Sequence, residues 1–226
     1  MAIIAISRGT MSGGLAVAEC LADRLGYPCV GREVLQAAAT TLGASEETVR
    51  RKLQTPPGPW DLMTRERHAY VVAVQAALAA RCVQGRLVYH GLAGQLLLRD
   101  VPGVLRVRLI APLAMRVQAV LSRHARTSPS AAERFIRSVD RQRRRWVRRL
   151  YDVDINDTSL YELTINLESL TLDTACVMIG ELARQPHYEV TAETRTRLEA
   201  FAAECDRRVA EVIGQRPGGR AAENGA

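Results

Sequence analysis

The chain opens on an apolar run, Ala2-Ile-Ile-Ala-Ile-Ser7. A glycine-bearing stretch from Arg8 to Gly14 follows, and then Leu15 to Leu25, where apolar positions recur at helical spacing up to a stop at Gly26. An apolar run without alternation predicts a strand buried on both faces, so strand, glycine loop and helix succeed one another in the order of a βα unit. Tyr27 to Val30 reads as a short extended piece. Val34, Leu35, Ala38 and Leu42 make Arg32 to Leu42 helical, ended by Gly43, and Ser45-Glu46-Glu47-Thr48 caps a further short helix to about Gln54. Three prolines and a glycine make Thr55 to Pro59 a loop, and an Ala- and Val-rich helix is expected from Arg65 to Val83, closed by Gly85.

The second half repeats the pattern. Arg86 to His90 and Val104 to Ile110 read as buried strands, each followed by a helical pattern, Leu92 to Arg99 and Leu113 to Arg123. Ser130 to Leu150 reads as one basic helix, Leu163 to Asn166 as a last short strand and Leu172 to Arg184 as the helix after it. Repeated βα units imply an α/β fold with a parallel sheet flanked by helices. The expected organisation is a domain over residues 1–185, a helical extension over 186–214 with a charged amphipathic helix from Thr191 to Gly214, and a disordered tail over 215–226.

Composition narrows the class. With 226 residues, 47% of them hydrophobic, the chain can bury one sizeable core, and with only two Trp and two Phe that core must be aliphatic. The five cysteines are odd in number, widely spaced and without a C-x-x-C pair, so they read as buried thiols in a reducing compartment, with no disulfide framework or zinc knuckle. Met1 leads into the first strand without a basic n-region or cleavage site, and no apolar stretch has the length of a membrane span. A cytoplasmic location without membrane insertion is expected. Four histidines, His68, His90, His124 and His187, have no ligand spacing, so no protein metal site is expected. The net charge of +7 favours anionic partners, and residues 141–149 carry six arginines.

The first candidate chemistry lies in Gly9-Thr10-Met11-Ser12-Gly13-Gly14. It fits the G-x-x-x-x-G half of a phosphate loop: glycines let successive N–H groups turn inward, and the helix N-terminus adds partial positive charge where a phosphate would sit. Leu15 stands where the loop's lysine belongs, and Ala16 where its magnesium-binding hydroxyl belongs. Structural punctuation at a βα turn is the competing reading. For the arginines of 141–149 the competing reading is a solvated face, or pairing with Asp152, Asp154 and Asp157.

Larger stretches resemble the cytidylate kinase-like family. Ser7-Arg8 with Ser12-Gly13-Gly14, Gly26-Tyr-Pro and Arg32-Glu33-Val34-Leu35 is similar to its opening, and Val88-Tyr89-His90-Gly91 before Leu96-Leu97 to its third strand. Val107-Arg-Leu-Ile-Ala-Pro112 with Arg116 resembles the next strand and helix, and Asp140, Arg143 and Trp146, then Tyr161 to Asn166, the lid helix and last strand. The likeness runs in order over about Met1 to Leu182. It implies a P-loop nucleotide-kinase fold with a helical lid, donor phosphates on Gly9, Thr10, Met11, Ser12, Gly13 and Gly14 with Arg8, an acceptor near Arg32, Glu33 and Gly91, and a catalytic role for Arg143. It also implies ATP with Mg²⁺, and CMP or dCMP as acceptor. The departures are Leu15, Gly31 where the family carries Asp, and Leu92 where it carries Arg. Three readings stay open: a nucleotide-binding protein with a degenerate loop, an active kinase that uses arginines in the lysine's place, and nucleic-acid binding through 141–149. The last rests on charge alone and is not the expected partner class. The oligomeric state is not set by the sequence.

Overall fold

The computed structural model describes residues 1–54, 65–91 and 93–214. The expectations for Thr55 to Pro59, for Leu92 and for 215–226 lie outside the described residues.

Among the described residues five strands, β1 (Ile3–Arg8), β2 (Cys29–Val30), β3 (Leu87–Tyr89), β4 (Val104–Ile110) and β5 (Leu163–Asn166), form one sheet in the order β2-β3-β1-β4-β5. All its pairings are parallel, with Ile3 opposite both Leu87 and Val104. β1 is central and buried on both faces, which is why its sequence shows no alternation. Its side chains still divide by parity. Ile3 and Ala5 join the core under α2 (Arg32–Leu42) and α4 (Arg65–Cys82), while Ile4 and Ile6 join the core under α1 (Gly14–Leu25) and α8 (Leu172–Ala183). Because β3 and β4 flank β1 on opposite sides, the chain leaves the carboxyl end of β1 at a crevice, the place where open α/β sheets bind ligands.

The remaining helices are α3 (Glu46–Gln54), α5 (Gly94–Leu97), α6 (Leu113–Arg123), α7 (Pro129–Tyr151) and α9 (Ala192–Gly214). α5 is half the length the pattern predicts for Leu92 to Arg99. Ala93 is left-handed at φ 51° and starts it late, and a Cβ at Gly94 would lie 2.5 Å from Tyr89 Cδ1, so the chain is pressed against β3 as it turns. α9 packs along α4 with Leu198 and Cys205 fully buried. α7 starts one residue earlier than expected, because Ser128 Oγ accepts from the Ala131 N–H at 3.3 Å and Pro129 fits the first helical turn.

One expectation is corrected. Cys20 and Cys176 form a disulfide, with Cα atoms 6.2 Å apart, while Cys29, Cys82 and Cys205 remain free. The 156-residue separation hides the pair in sequence. It arises because α1 and α8 pack side by side on the same face of the sheet.

Candidate nucleotide site at the glycine loop

β1 ends at Arg8 and α1 begins at Gly14, so five residues make the turn. Met11 at φ 62° and Gly13 at φ 80° are left-handed, and the Ser12 N–H and hydroxyl both bond to Gly9 O, at 3.3 and 3.0 Å. Left-handed backbone at a non-glycine residue costs about 1 kcal/mol and gathers at functional loops. Two glycines are fixed by neighbours. A Cβ at Gly9 would lie 2.9 Å from Arg116 Nη1, and one at Gly14 would lie 2.8 Å from Arg8 Cβ, because the Arg8 stem lies against it. No side chain caps α1 at Gly13, which leaves its first N–H groups as donors at the positive end of the helix. Leu15, in the first turn, is exposed, as is Ala16.

α7 is bound to this loop through charge. Asp140 Oδ1 accepts from the Thr10 N–H at 3.1 Å and the Thr10 hydroxyl at 2.7 Å, and Oδ2 pairs with Arg116 Nη1 at 2.6 Å. Arg116 Nη1 also donates to Thr10 O at 3.2 Å. Three residues along α7, Arg143 Nη1 donates to Arg8 O at 3.4 Å. Positions 132, 136, 140, 143 and 147 share one helix face, so Asp140 and Arg143 interrupt a stripe that Ala132, Ile136 and Val147 otherwise bury. Burial, then Arg123, lowers the Arg8 pKa; burial, then Arg8, lowers that of Arg143. The two cations are crowded and poorly solvated, which is the state an anion would relieve.

Burial alone would push the Asp140 carboxyl up, but its bonds from Arg116 and Thr10 outweigh burial and hold it below the usual carboxylate range. With the folded pKa below the unfolded value, the latch contributes fully above about pH 4 and is lost as pH falls through the folded pKa. Asp140→Ala is therefore expected to cost about 2–4 kcal/mol at neutral pH, since it strands Arg116. Thermal melts of wild type and variant should converge in acid below the folded pKa; an undiminished difference there would contradict the latch.

Two cavities adjoin the loop. One of about 210 Å³ is lined by Arg8, Gly9, Arg108, Arg116, Asp140 and Arg143 among others. The second, of about 290 Å³, lies toward β2 and β3 and includes Gly31, Arg32, His90, Gly91, Gln142 and Trp146. They meet at Arg8, Arg143 and Ile155. The His90 ring fills the space beside Gly31, where a Cβ would lie 2.5 Å from its Cε1, and its Nδ1 has no partner among the described residues.

The structure thus brings Arg8, the loop from Gly9 to Gly14 and Arg143 together, and places Gly91 and Arg32 on the second cavity. Arg32 is largely exposed and paired with Glu46 at 2.5 Å. Glu33 lines neither cavity: its carboxylate accepts from the Gly31 N–H at 2.8 Å, capping its own helix. Arg141, Arg144, Arg145, Arg148 and Arg149 are exposed, and among the described residues none pairs with Asp152, Asp154 or Asp157. The residue that pattern reading missed is Arg108, buried at the crevice. Its signal was an arginine inside a run read only as buried strand. Triphosphate oxygens fit the donors present, the loop amides and the arginines. Among the described residues the loop offers magnesium no free carboxylate and no hydroxyl at position 16, because Ala16 has none and both Asp140 oxygens are engaged.

A central strand, a glycine loop over a helix N-terminus and an arginine-bearing helix closing on it define the P-loop nucleotide-kinase fold. A model of the cytidylate kinase-like family matches residues 3–169. The chain belongs to that family. A cytidylate kinase from Methanosarcina barkeri (strain Fusaro / DSM 804) is 37% identical over 72 residues, 31% of this chain and 39% of that protein. The chain thus aligns with about two fifths of the length of that curated relative. Among solved structures, an uncharacterized protein from Eubacterium ventriosum ATCC 27560 superposes with a TM-score of 0.63 at 19% identity, covering 80% of this chain and 97% of the other. A shikimate kinase from Bacteroides thetaiotaomicron reaches 0.49 at 9% identity, over 81% of this chain and 99% of that one. No described helix is long and apolar enough to cross a membrane.

Proposed function

We propose that this chain binds nucleotides in the crevice at the end of β1, with the donor phosphates on the Gly9 to Gly14 loop and a nucleoside monophosphate of the CMP or dCMP type in the second cavity, and that it transfers phosphate slowly or not at all. The observation that carries the binding is the uncapped α1 N-terminus beside Arg8, Arg116 and Arg143. Slow turnover follows from Leu15, which removes a charged donor from the position where phosphoryl charge develops, and from Ala16. ATP with Mg²⁺ is the expected donor, the ion held by the triphosphate and water. A cytoplasmic setting suits such substrates.

A second reading is favoured by one observation: guanidinium groups crowd the loop from β1, β4, α6 and α7, and arginines can screen the charge that moves in phosphoryl transfer. On that reading the chain is an active CMP or dCMP kinase. Isothermal titration with ATP–Mg²⁺ and with CMP, beside a coupled assay of ADP release, separates the two. Binding of both ligands with ADP release near background supports the first reading, and ADP release at about 1–100 per second supports the second. Absence of binding by either ligand would defeat both.

A further inference from the structure

Much of the positive charge in the crevice comes from outside the glycine loop. Arg108 lies opposite Ser7 in the β1–β4 register and is only 9% exposed. Its Nη1 donates to Ser7 Oγ at 2.9 Å and its Nη2 to Asn156 Oδ1 at 3.0 Å. Its guanidinium carbon lies 5.7 Å from the centroid of the Tyr161 ring, which is anchored by a 2.8 Å bond from its hydroxyl to Ile155 O. Every one of these partners is neutral. Among the described residues no carboxylate stands within ion-pair distance of Arg108, and Asp154 is reached only through the Asn156 amide, whose Nδ2 donates to it at 3.1 Å.

Its neighbours differ. Arg106, two residues back on the same strand, is paired with Glu162, and Arg116 is paired with Asp140. A buried guanidinium with neutral partners alone bears the cost of desolvation without a compensating charge, and side chains this buried are normally paired. Arg108 also lines the first cavity, while its partner Ser7 lines the second. Its charge, together with that of Arg8, bears on Arg143. Three cations therefore converge where the two cavities meet, and the crevice's described acid, Asp140, is already engaged by Arg116 and Thr10. A tetrahedral oxyanion with two negative charges is the ligand chemistry that answers them, since its oxygens accept from several guanidinium groups at once.

We propose that Arg108, with Arg8 and Arg143, binds a terminal phosphate group of the bound nucleotide and supplies from the sheet the charge that the loop lacks at Leu15. This rests on the nucleotide reading above and adds a residue to it. Two ligands carry such a group, the donor at the end of its triphosphate and the acceptor as its monophosphate, and the test distinguishes them.

The test is titration of the full chain, as wild type, Arg108→Gln and Asn156→Ala, with ATP, ADP, CMP and cytidine. Arg108→Gln should weaken phosphate-bearing ligands about ten- to hundred-fold while leaving cytidine unchanged. A loss larger for ATP than for ADP assigns the site to the donor's terminal phosphate, and a loss for CMP assigns it to the acceptor. The melting temperature should hold or rise, because a buried unpaired charge has gone. Should Arg108→Gln not fold, Asn156→Ala, an exposed partner, loosens the guanidinium and should weaken the same ligand several-fold. Equal affinities in folded variants, or an equal loss for cytidine, overturn the assignment and leave nucleotide binding standing. If the wild-type chain binds none of the four, the nucleotide reading falls and this inference falls with it.

Discussion

Gly14→Val is expected to lower nucleotide affinity at least about a hundred-fold, the largest single effect in the molecule. Gly14 is buried, and any Cβ there meets the Arg8 stem, with Arg8 Cβ 2.8 Å away. The stem continues the rigid backbone of β1, so it cannot swing clear without moving the guanidinium that lines both cavities. The loop amides and Arg8 would be displaced together. Overpacking of this kind costs about 1–3 kcal/mol, so the variant should melt somewhat lower yet remain folded. Gly26→Ala is the control for backbone strain without a clash: it forces a side chain into left-handed backbone, at φ 64°, but meets nothing within 4 Å. It should lose about 1 kcal/mol of stability and keep its ligand. Unchanged affinity in folded Gly14→Val would show that the loop is only a turn.

Leu15→Lys should act in the opposite direction. Leu15 is exposed in the first turn of α1, beside the uncapped N–H groups, so an ammonium there can reach the phosphates of a bound triphosphate without displacing the core. A partly exposed charge-assisted contact contributes about 1–3 kcal/mol, or roughly a five- to hundred-fold gain in ATP affinity. Adenosine, which offers no phosphate, should gain nothing. Turnover need not follow, because Ala16 still offers magnesium no ligand. If wild type already releases ADP at ordinary rates and Leu15→Lys adds little, the arginines already do the lysine's work, and the slow-transfer reading is wrong.

The parts of the fold that could be read in the sequence are those set by local pattern. β1, its loop and α1 announce themselves because a doubly buried strand, left-handed turn residues and an amphipathic helix each leave a distinct signature over a few residues. Asp140, Arg143 and Trp146 stand out only through the resemblance to the family's lid helix, and the structure explains the first two as charges within a buried helical stripe. What depended on which elements lie side by side was not visible. The Cys20–Cys176 bond needs α1 against α8, a neighbour relation fixed by the sheet order. Arg106 and Arg108 fall on the same side of β4 by period, yet one pairs with Glu162 near the surface and the other is buried against Tyr161. Nothing in the strand's own residues separates them. Glu33 shows the same limit, since its carboxylate turns back to the Gly31 amide.

The most direct test of the central claim is amide hydrogen exchange of the full chain with and without ATP, read peptide by peptide. Backbone N–H groups that hold phosphate exchange more slowly when it is bound, so the account predicts protection over residues 9–16 together with the Asp140 to Trp146 stretch of α7 that closes on them. Protection confined to the arginines of 141–149, with the glycine loop exchanging as before, would contradict it and return the basic helix as the binding surface.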